Sequence, residues 1–346
     1  MGQEEARTVP ATTLERAARS ILEAAGAPAG TAAAVAGSLV ESNLVGHDSH
    51  GVRRLIPYVE AIDAGAVRPA ARCEIAAQRG ATGVVDGRRG FGQPAAHLAT
   101  ELASRLATEH GVATVAIREC NHVGRLGEYA GALASRGLVG LVFGNADPSV
   151  APYGGRERRL GTNPLAWAAP RAEGADPLVM DWATASMAEG KVAMSLAKGE
   201  PVPDGVIVDR AGRPSTDPAA FYAGGALLPF GGHKGYGLSV LIELVGGLLT
   251  GTGASCLPGY DGGFGTVVMA VRVEAFVPLE EFRARAEDLC RTLGSTPPAE
   301  GFDRVLVPGE IETLTRERRL REGVPVPKAH WDELHALARR LGAAMP

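Results

Sequence analysis

The sequence of 346 residues is poor in cysteine, in clustered charge and in long apolar runs. Its four cysteines lie far apart and form no CxxC pair, which excludes a zinc ribbon and a thioredoxin-type redox motif. The 35 basic and 39 acidic residues are scattered, so we expect no nucleic-acid surface. Met1–Thr8 does not read as a signal peptide, and the most apolar segment, Tyr236–Thr250, is interrupted by Glu243 and falls short of the ~20 residues that span a bilayer. We therefore expect a cytoplasmic protein without membrane contact.

The chain divides by pattern into helical ends and a sheet-rich middle. Its length suggests about two domains, and 45% hydrophobic residues are ordinary for a globular protein. We predict an N-terminal helical segment over residues 1–75 and a sheet-rich cofactor- and substrate-binding region over 76–275. A C-terminal helical segment over 276–346 is expected to pack with the N-terminal one.

Local signals predict the principal elements. Thr12 and Glu15 form a candidate capping box for the first helix, a third helix is expected to begin near Gly51, and residues 236–249 suggest a helix buried in the core. Apolar runs bounded by glycine predict six strands, at residues 111–117, 138–143, 165–169, 178–181, 206–208 and 266–273.

Residues 83–119 partly match the pattern of a dinucleotide-binding unit. Gly90 to Ala95 match GxGxxA, and a helix is expected to follow. However, the preceding strand is short and four residues separate it from the first glycine. A plain glycine-rich connection is therefore favoured over a phosphate-binding loop.

The segment from Gly46 to Arg54 carries the strongest local signal. If a helix begins here, His50, Arg54 and Tyr58 lie on one face, where a guanidinium could bind a small carboxylate. A solvated helix start with ordinary caps explains the same residues. A metal site at His47, Asp48 and His50 is disfavoured because the spacing is poor and no third ligand is near, so we expect no metal.

Further polar motifs follow strands. His122 lies on a glycine-flanked loop, where it either serves as an acid–base group or caps the loop. Asp147 either orients an imidazole or starts a turn, and Gly161 to Pro164 could be a structural turn. Lys234, in a glycine-rich loop entering the apolar helix, could face a phosphate, although neither a P-loop nor a GxSxG elbow is present.

Taken in order, these motifs resemble the malate/L-lactate dehydrogenase-like family over roughly Thr12 to Leu337. The matching motifs are Ser49-His50-Gly51 with Arg54, Asn121-His122 with Gly124, Gly161-Thr162-Asn163-Pro164, Met180-Asp181, Thr216-Asp217-Pro218, Lys234-Gly235-Tyr236-Gly237 and Pro308-Gly309-Glu310. The resemblance implies an α/β fold that is non-Rossmann, with a largely antiparallel central sheet in the cofactor domain, flanked by N- and C-terminal helical segments packed together. It also implies a homodimer with active sites near the subunit interface, and NAD or NADP as cofactor.

The resemblance also implies roles for individual residues. His122 and His50 match histidines that serve as acid–base catalyst in different branches, so both are kept, with Asp147 as a possible partner of His122. Arg54 would bind the substrate carboxylate, helped by Ser49 and Tyr58. The remaining matches fall on cofactor positions: Asp181, Trp182, Ala183, His233, Lys234 and, more weakly, Gly265, Thr266 and Gly309.

The expected activity is reversible hydride transfer between NAD(P) and a small 2-hydroxy or 2-keto carboxylate. Reduction of a cyclic imine carboxylate on the same fold is the alternative reaction, and a non-catalytic metabolite-binding dimer is the alternative from another class. Two departures from the family, a short loop over residues 251–264 and Trp182 in the cofactor turn, suggest a bulkier or differently shaped substrate.

Overall fold

The computed structural model describes residues 6–346, which form twelve strands and eleven helices. Residues 1–5 lie outside this range, so the expectation for Met1–Thr8 falls largely on residues that the structure does not describe. The strands are β1 (Ala6–Val9), β2 (Glu74–Arg79), β3 (Thr82–Asp86), β4 (Val112–Arg118), β5 (Leu138–Gly144), β6 (Leu165–Ala169), β7 (Leu178–Trp182), β8 (Ile207–Val208), β9 (Pro214–Ser215), β10 (Ala226–Leu227), β11 (Thr266–Arg272) and β12 (Val324–Pro327). The helices are α1 (Ala11–Ala24), α2 (Ala29–Leu44), α3 (Leu55–Asp63), α4 (Gly92–His110), α5 (Leu126–Ala134), α6 (Glu189–Lys198), α7 (Pro218–Tyr222), α8 (His233–Ile242), α9 (Leu279–Gly294), α10 (Glu310–Glu322) and α11 (Lys328–Leu341).

A seven-stranded mixed sheet lies at the centre, in the order β2-β3-β4-β11-β5-β6-β7. β3 and β4 run parallel, and the other neighbours in this sheet are antiparallel. Alanine-rich faces of α4 and α5 pack on the sheet and bury its valines and isoleucine. Small side chains allow this close approach of helix to sheet. The fold is therefore a mixed α/β fold with a central sheet flanked by helices.

The GxGxxA segment lies at the start of α4, inside a parallel β3–α4–β4 unit. A Cβ added at Gly92 would stand 2.3 Å from the carbonyl oxygen of Asn121 and 2.5 Å from that of His122. The glycine is needed because the backbone of the His122 loop lies directly against it. This packing favours the glycine-rich connection over a loop open to pyrophosphate.

Residues from both ends of the chain share one core. β1 pairs antiparallel with β12, which places Val9 opposite Val324. Leu14 and Leu39 of the N-terminal helices belong to the same buried cluster as Trp331 of α11. Hydrophobic burial of this kind is the main stabilising term in folding.

The N-terminal helices begin elsewhere than the sequence suggests. The predicted capping box of Thr12 and Glu15 is wrong, because α1 begins at Ala11 with Pro10 as its N-cap and no side-chain cap. Two 3₁₀ turns occupy the region where the third helix was expected, and α3 begins at Leu55. Pro57 then falls in the first turn of the helix, where a missing N–H costs no hydrogen bond.

The apolar segment 236–249 is not buried all round. It forms the end of α8 and a π-helical continuation, Glu243–Leu248. One face packs inward, but four leucines point outward and are each 44–63% exposed: Leu241, Leu244, Leu248 and Leu249. We call these four residues the leucine ridge. Within residues 6–346, no helix combines the length and hydrophobicity needed to cross a membrane.

Candidate active site

One end of the central sheet gathers most of the motifs. Ile117 pairs with Thr266, which also pairs with Gly144. One residue along, Phe143 pairs with Leu165, which pairs with Trp182. The loops that follow β4, β5 and β7, and those that precede β6 and β11, therefore meet at this end.

Two histidines from distant parts of the chain form the centre of the site. The rings of His50 and His122 are stacked, with centroids 5.4 Å apart and planes 24° from parallel. Both side chains are only partly buried, so a small molecule can reach them. Ser49 Oγ lies 3.0 Å from His50 Nδ1, and Phe264 meets the His122 ring edge-on at 5.5 Å. The structure thus brings together the two residues between which the resemblance left the acid–base role open.

Tyr58 and Gln93 lie behind His122. Tyr58 Oη is 2.7 Å from His122 Nδ1, and Gln93 Nε2 donates to Tyr58 Oη at 2.9 Å. Both residues are buried, Gln93 completely. Sequence reasoning missed Gln93, because it stands inside the GxGxxA segment and carries no signal of its own.

The surroundings favour neutral side chains. Burial lowers the pKa of His50 from 6.5 to about 4, helped by the charges of Arg54, His47 and Arg125. Burial likewise holds the pKa of His122 well below its usual value. These directions follow from removing a cationic form from water and placing it beside a guanidinium. Both imidazoles are therefore neutral at pH 7.

Two arginines face the histidine pair with unused donors. The guanidinium carbon of Arg54 lies 5.6 Å from the centre of the Tyr58 ring, and its buried Nε has no hydrogen-bond partner. Arg125 is 9% exposed, and its Nε is also buried without a partner. A guanidinium group with a buried Nε that has no partner is suited to an anionic ligand. Arg54 was expected from the sequence, whereas Arg125 was not.

Asp147 does not hold His122. Its carboxylate accepts from Tyr260 Oη at 3.1 Å, and its side chain is exposed. The hydrogen-bond partners of the His122 ring are Tyr58 Oη and the backbone N–H of Gly124. The expected orienting role of Asp147 is thus not supported by this geometry, because the turn before Pro148 directs the carboxylate toward the 251–264 loop.

The turn at Gly161 to Pro164 is part of a buried polar scaffold. Asn163 donates to Glu243 Oε1 at 2.9 Å and accepts from the backbone N–H of Ala146 at 3.1 Å. Glu243 also accepts from the backbone N–H of Ser255 at 2.9 Å and from that of Gly161 at 3.4 Å. A buried carboxylate surrounded only by donors is satisfied without a counter-charge. These contacts connect the loop after β5 to the π-helical segment and give the turn a structural role.

The candidate cofactor residues form a second group near the end of β7. Asp181 accepts from the backbone N–H of Gly127, near the start of α5, at 2.7 Å. Burial raises the pKa of Asp181, while that N–H and Arg125 act in the opposite direction. Gly309 packs against Val179, because a Cβ there would lie 3.1 Å from the Val179 nitrogen.

His233 and Lys234 are linked to the same region through a short bridge. Ala185 pairs with Pro229, which connects the turn after Trp182 and Ala183 to the loop before α8. His233 and Lys234 form the exposed first turn of α8, whose N-cap is Gly232. The positive end of a helix dipole and an adjacent ammonium suit a phosphate. The exposed Lys234 ammonium at this helix start is thus compatible with the phosphate of an anionic cofactor.

Gly265 and Thr266 lie apart from this second group. A Cβ at Gly265 would stand 1.7 Å from the carbonyl oxygen of Gly246, so this glycine serves close packing against the π-helical segment. Thr266 begins β11 between β4 and β5, and its buried Oγ1 has no hydrogen-bond partner. Both residues are therefore nearer the His122 loop than the end of β7.

His47 and Asp48 have protein partners. His47 Nε2 lies 3.2 Å from Glu312 Oε1, and Asp48 forms a two-pronged ion pair with Arg319 at 2.7 and 3.0 Å. Across residues 6–346 no group of three or more His, Cys, Asp or Glu side chains is arranged to hold a metal.

Comparison with known proteins identifies the family. Residues 9–335 match the malate/L-lactate dehydrogenase family, so the chain belongs to that family. It is 39% identical over 343 residues to an L-lactate dehydrogenase from Cupriavidus necator, covering 97% of this chain and 98% of that protein. Malate dehydrogenase from Entamoeba histolytica has a similar structure, with a TM-score of 0.94, 29% identity and coverage of 99% and 100%. Delta1-piperideine-2-carboxylate reductase from Pseudomonas syringae gives a TM-score of 0.86 at 34% identity, with coverage of 96% and 100%.

Proposed function

We propose that this protein is an oxidoreductase that reversibly transfers a hydride between NAD or NADP and a small 2-hydroxy or 2-keto carboxylate. The observation that carries the proposal is the stacked His50–His122 pair beside an arginine with an unused buried donor. This combination places a proton donor and an anion-binding group close together. Family membership supports the reaction class, a dehydrogenase acting on the CH–OH group of a hydroxy acid.

Arg54 binds the substrate carboxylate and so fixes the position of the neighbouring carbonyl carbon. Ser49 holds His50 through their 3.0 Å contact. His122 gives a proton to the carbonyl oxygen during reduction and takes it back during oxidation. The bound nicotinamide supplies or accepts the hydride. Asp181, Trp182, Ala183, His233, Lys234 and Gly309 hold the cofactor, with Gly265 and Thr266 as weaker candidates.

A panel of 2-keto acids tested with NADH and NADPH checks this proposal. Purified protein is expected to lower the cofactor absorbance with at least one 2-keto acid. Replacing His122 by alanine should reduce turnover by about 10²–10⁴-fold, the usual contribution of an acid–base group. Near-normal turnover of His122→Ala together with an inactive His50→Ala would reverse the assignment. No turnover and no cofactor binding by fluorescence would reject the oxidoreductase.

Reduction of a cyclic imine carboxylate remains the second candidate. The similarity to a delta1-piperideine-2-carboxylate reductase, at 34% identity over 96% of the chain, favours it specifically. Such a substrate also carries a carboxylate for Arg54, and its imine nitrogen needs a proton when the C=N bond is reduced. Adding cyclic imines to the same panel separates the two, because each predicts turnover with a different substrate class.

We also propose that each chain is divided into three segments, residues 1–75, 76–275 and 276–346. Two such chains are proposed to form a homodimer. The shared core of the chain ends supports the packing of the first and third segments. The leucine ridge supports the dimer, since contiguous exposed apolar side chains are typical of interfaces. A second copy of this chain is the expected occupant of the ridge.

A further inference from the structure

The side chains of Gln93, Tyr58 and His122 form a continuous hydrogen-bonded chain. Gln93 Nε2 lies 2.9 Å from Tyr58 Oη, which lies 2.7 Å from His122 Nδ1. Gln93 is completely buried and Tyr58 is 5% exposed, so water does not compete for these contacts. The chain ends at the ring to which we assign the acid–base role, and the inference below rests on that assignment.

Counting hydrogens fixes the direction of each bond. The Gln93 amide donates to Tyr58, whose hydroxyl has one hydrogen and can direct it only to His122 Nδ1. The backbone N–H of Gly124 also points to His122 Nδ1, at 3.3 Å. A backbone N–H can only donate, so Nδ1 is an acceptor whichever way the Gln93 amide is turned. The neutral imidazole therefore carries its hydrogen on Nε2.

We propose that Tyr58 is the proton partner of His122, so that the imidazole passes a proton through its ring and never carries a full charge. In reduction, the carbonyl carbon receives the hydride and the carbonyl oxygen takes the proton from His122 Nε2. His122 Nδ1 takes the proton of Tyr58, which becomes a phenolate that accepts from Gln93 Nε2. After product leaves, His122 Nε2 takes a proton from water and Nδ1 returns its proton to the Tyr58 phenolate, so both side chains regain their starting state. Oxidation follows the same steps in reverse.

The charges around the chain fit such a relay. An imidazolium at His122 is disfavoured, since burial and the neighbouring Arg54 and His50 lower its pKa. Burial raises the pKa of Tyr58 overall, and the Arg54 charge and the Gln93 hydrogen bond act in the opposite direction, which reduces the cost of a phenolate. Moving the charge from His122 to Tyr58 therefore places a negative charge beside a guanidinium instead of a positive one.

This inference changes the role of Tyr58 expected from the sequence. Its only hydrogen is committed to His122 Nδ1, so it has none to offer to a substrate carboxylate. A carboxylate ligand and a relay partner differ in which kinetic constant they control. Loss of a carboxylate ligand raises KM, whereas loss of a relay partner lowers kcat.

The first test is Tyr58→Phe, assayed in the reductive direction with the 2-keto acid that the wild-type enzyme turns over best. We expect kcat to fall about 10²-fold, at the low end of acid–base contributions, with KM changed by less than about threefold. Tyr129→Phe is the matched control. Tyr129 is also buried, and its hydroxyl donates to the carbonyl of Val123 in the same loop, so the control loses a hydrogen bond without touching His122. Its kcat should stay within about threefold of wild type.

The second test is a proton inventory, in which single-turnover rates are measured across mixtures of H₂O and D₂O. If two protons move in the transition state, the wild-type rate should depend on the D₂O fraction along a bowed curve. For Tyr58→Phe, in which one proton moves, the dependence should be linear. Should Tyr58→Phe fail to fold, Gln93→Met provides the second variant, with an expected loss of about tenfold in kcat and the bowed dependence retained.

The relay would be overturned if Tyr58→Phe kept its kcat and raised KM. It would also be overturned if the wild-type proton inventory were linear. Either result leaves the dehydrogenase assignment intact, provided that His122→Ala is inactive. Absence of any cofactor-dependent turnover by the wild type would instead reject the proposed function, so the two failures are distinguishable.

Discussion

His50 connects the chemistry of the site to the stability of the protein. In the folded chain its ring stacks on that of His122, and burial, helped by the charges of Arg54, His47 and Arg125, lowers its pKa from 6.5 to about 4. In the unfolded chain the same imidazole is free to bind a proton at its ordinary pKa. The two states therefore differ in bound protons only over the acidic range between these values.

We predict that stability falls as the pH drops below about 6.5. Below that pH the unfolded state binds a proton at His50, whereas the folded state binds it only near pH 4. Each such histidine therefore lowers the free energy of unfolding by up to about 1.4 kcal/mol per pH unit. His50→Gln should lose less stability on acidification than the wild type. Urea unfolding at about pH 8 and about pH 5 measures this, since packing losses appear at both values and titration only at the lower. Equal losses in both proteins would contradict the prediction.

Sequence patterns identify residues whose signal is local and miss those whose partners are distant. His50, Arg54 and His122 stand out because polar side chains beside glycines are unusual within apolar surroundings. Gln93 and Arg125 have no such signal, because their roles arise only when α4 packs beside Tyr58 of α3 and the loop before α5 brings Arg125 near His50. Asp147 had a plausible signal but lies against Tyr260, because side-chain direction in a loop is set by tertiary contacts.

The start of α5 is an element whose geometry serves the candidate cofactor group. A Cβ at Gly127 would stand 2.6 Å from Arg125 Nη1 and 3.2 Å from Asp181 Oδ2. The same glycine donates its backbone N–H to Asp181 at 2.7 Å. Glycine is required here so that the helix start, the arginine and the carboxylate can approach one another.

We predict that Gly127→Ala weakens binding of NADH or NADPH by about 10–100-fold, the equivalent of one hydrogen bond to a charged group. Gly131→Ala is the control on the same helix, because a Cβ there meets only Val179 Cγ2, at 3.8 Å. That variant should bind cofactor normally and gain up to about 1 kcal/mol of stability from better helix propensity. Cofactor fluorescence measures both affinities. Equal affinities would show that cofactor binding does not depend on the close contact between Gly127 and Asp181.

Elements with a clear hydrophobic pattern are predicted well from the sequence. Elements whose burial depends on tertiary contacts are not. The strand at Leu165–Ala169 occurs as expected, and the other predicted strands differ by one residue at one or both ends. The helix at 236–249 is present, but an apolar composition does not reveal that one face is exposed and that the Glu243 carboxylate accepts from five hydrogen-bond donors. The exposed strand β2 was missed, because none of its residues is buried and no alternation marks it.

At the scale of the whole molecule, the leucine ridge leads to a prediction about assembly. Leu244→Glu should convert a dimer to a single chain, because an interface does not tolerate a buried unpaired charge. Leu320→Glu is the control, since Leu320 is similarly exposed but lies on α10, outside the ridge. Light scattering after gel filtration gives the mass of each variant. A wild-type mass equal to one chain would exclude the homodimer.

The pairing of Val9 with Val324 also determines when this protein can finish folding. During synthesis β1 leaves the ribosome first, but its partner strand exists only after nearly the whole chain has been made. Pairings between residues so far apart in sequence form slowly, and apolar surface stays open until they do. The side chains of α1 and α2 that pack with Trp331 therefore stay incompletely covered throughout translation. A nascent chain interrupted before β12 keeps this surface uncovered, which makes it a substrate for chaperones and proteases.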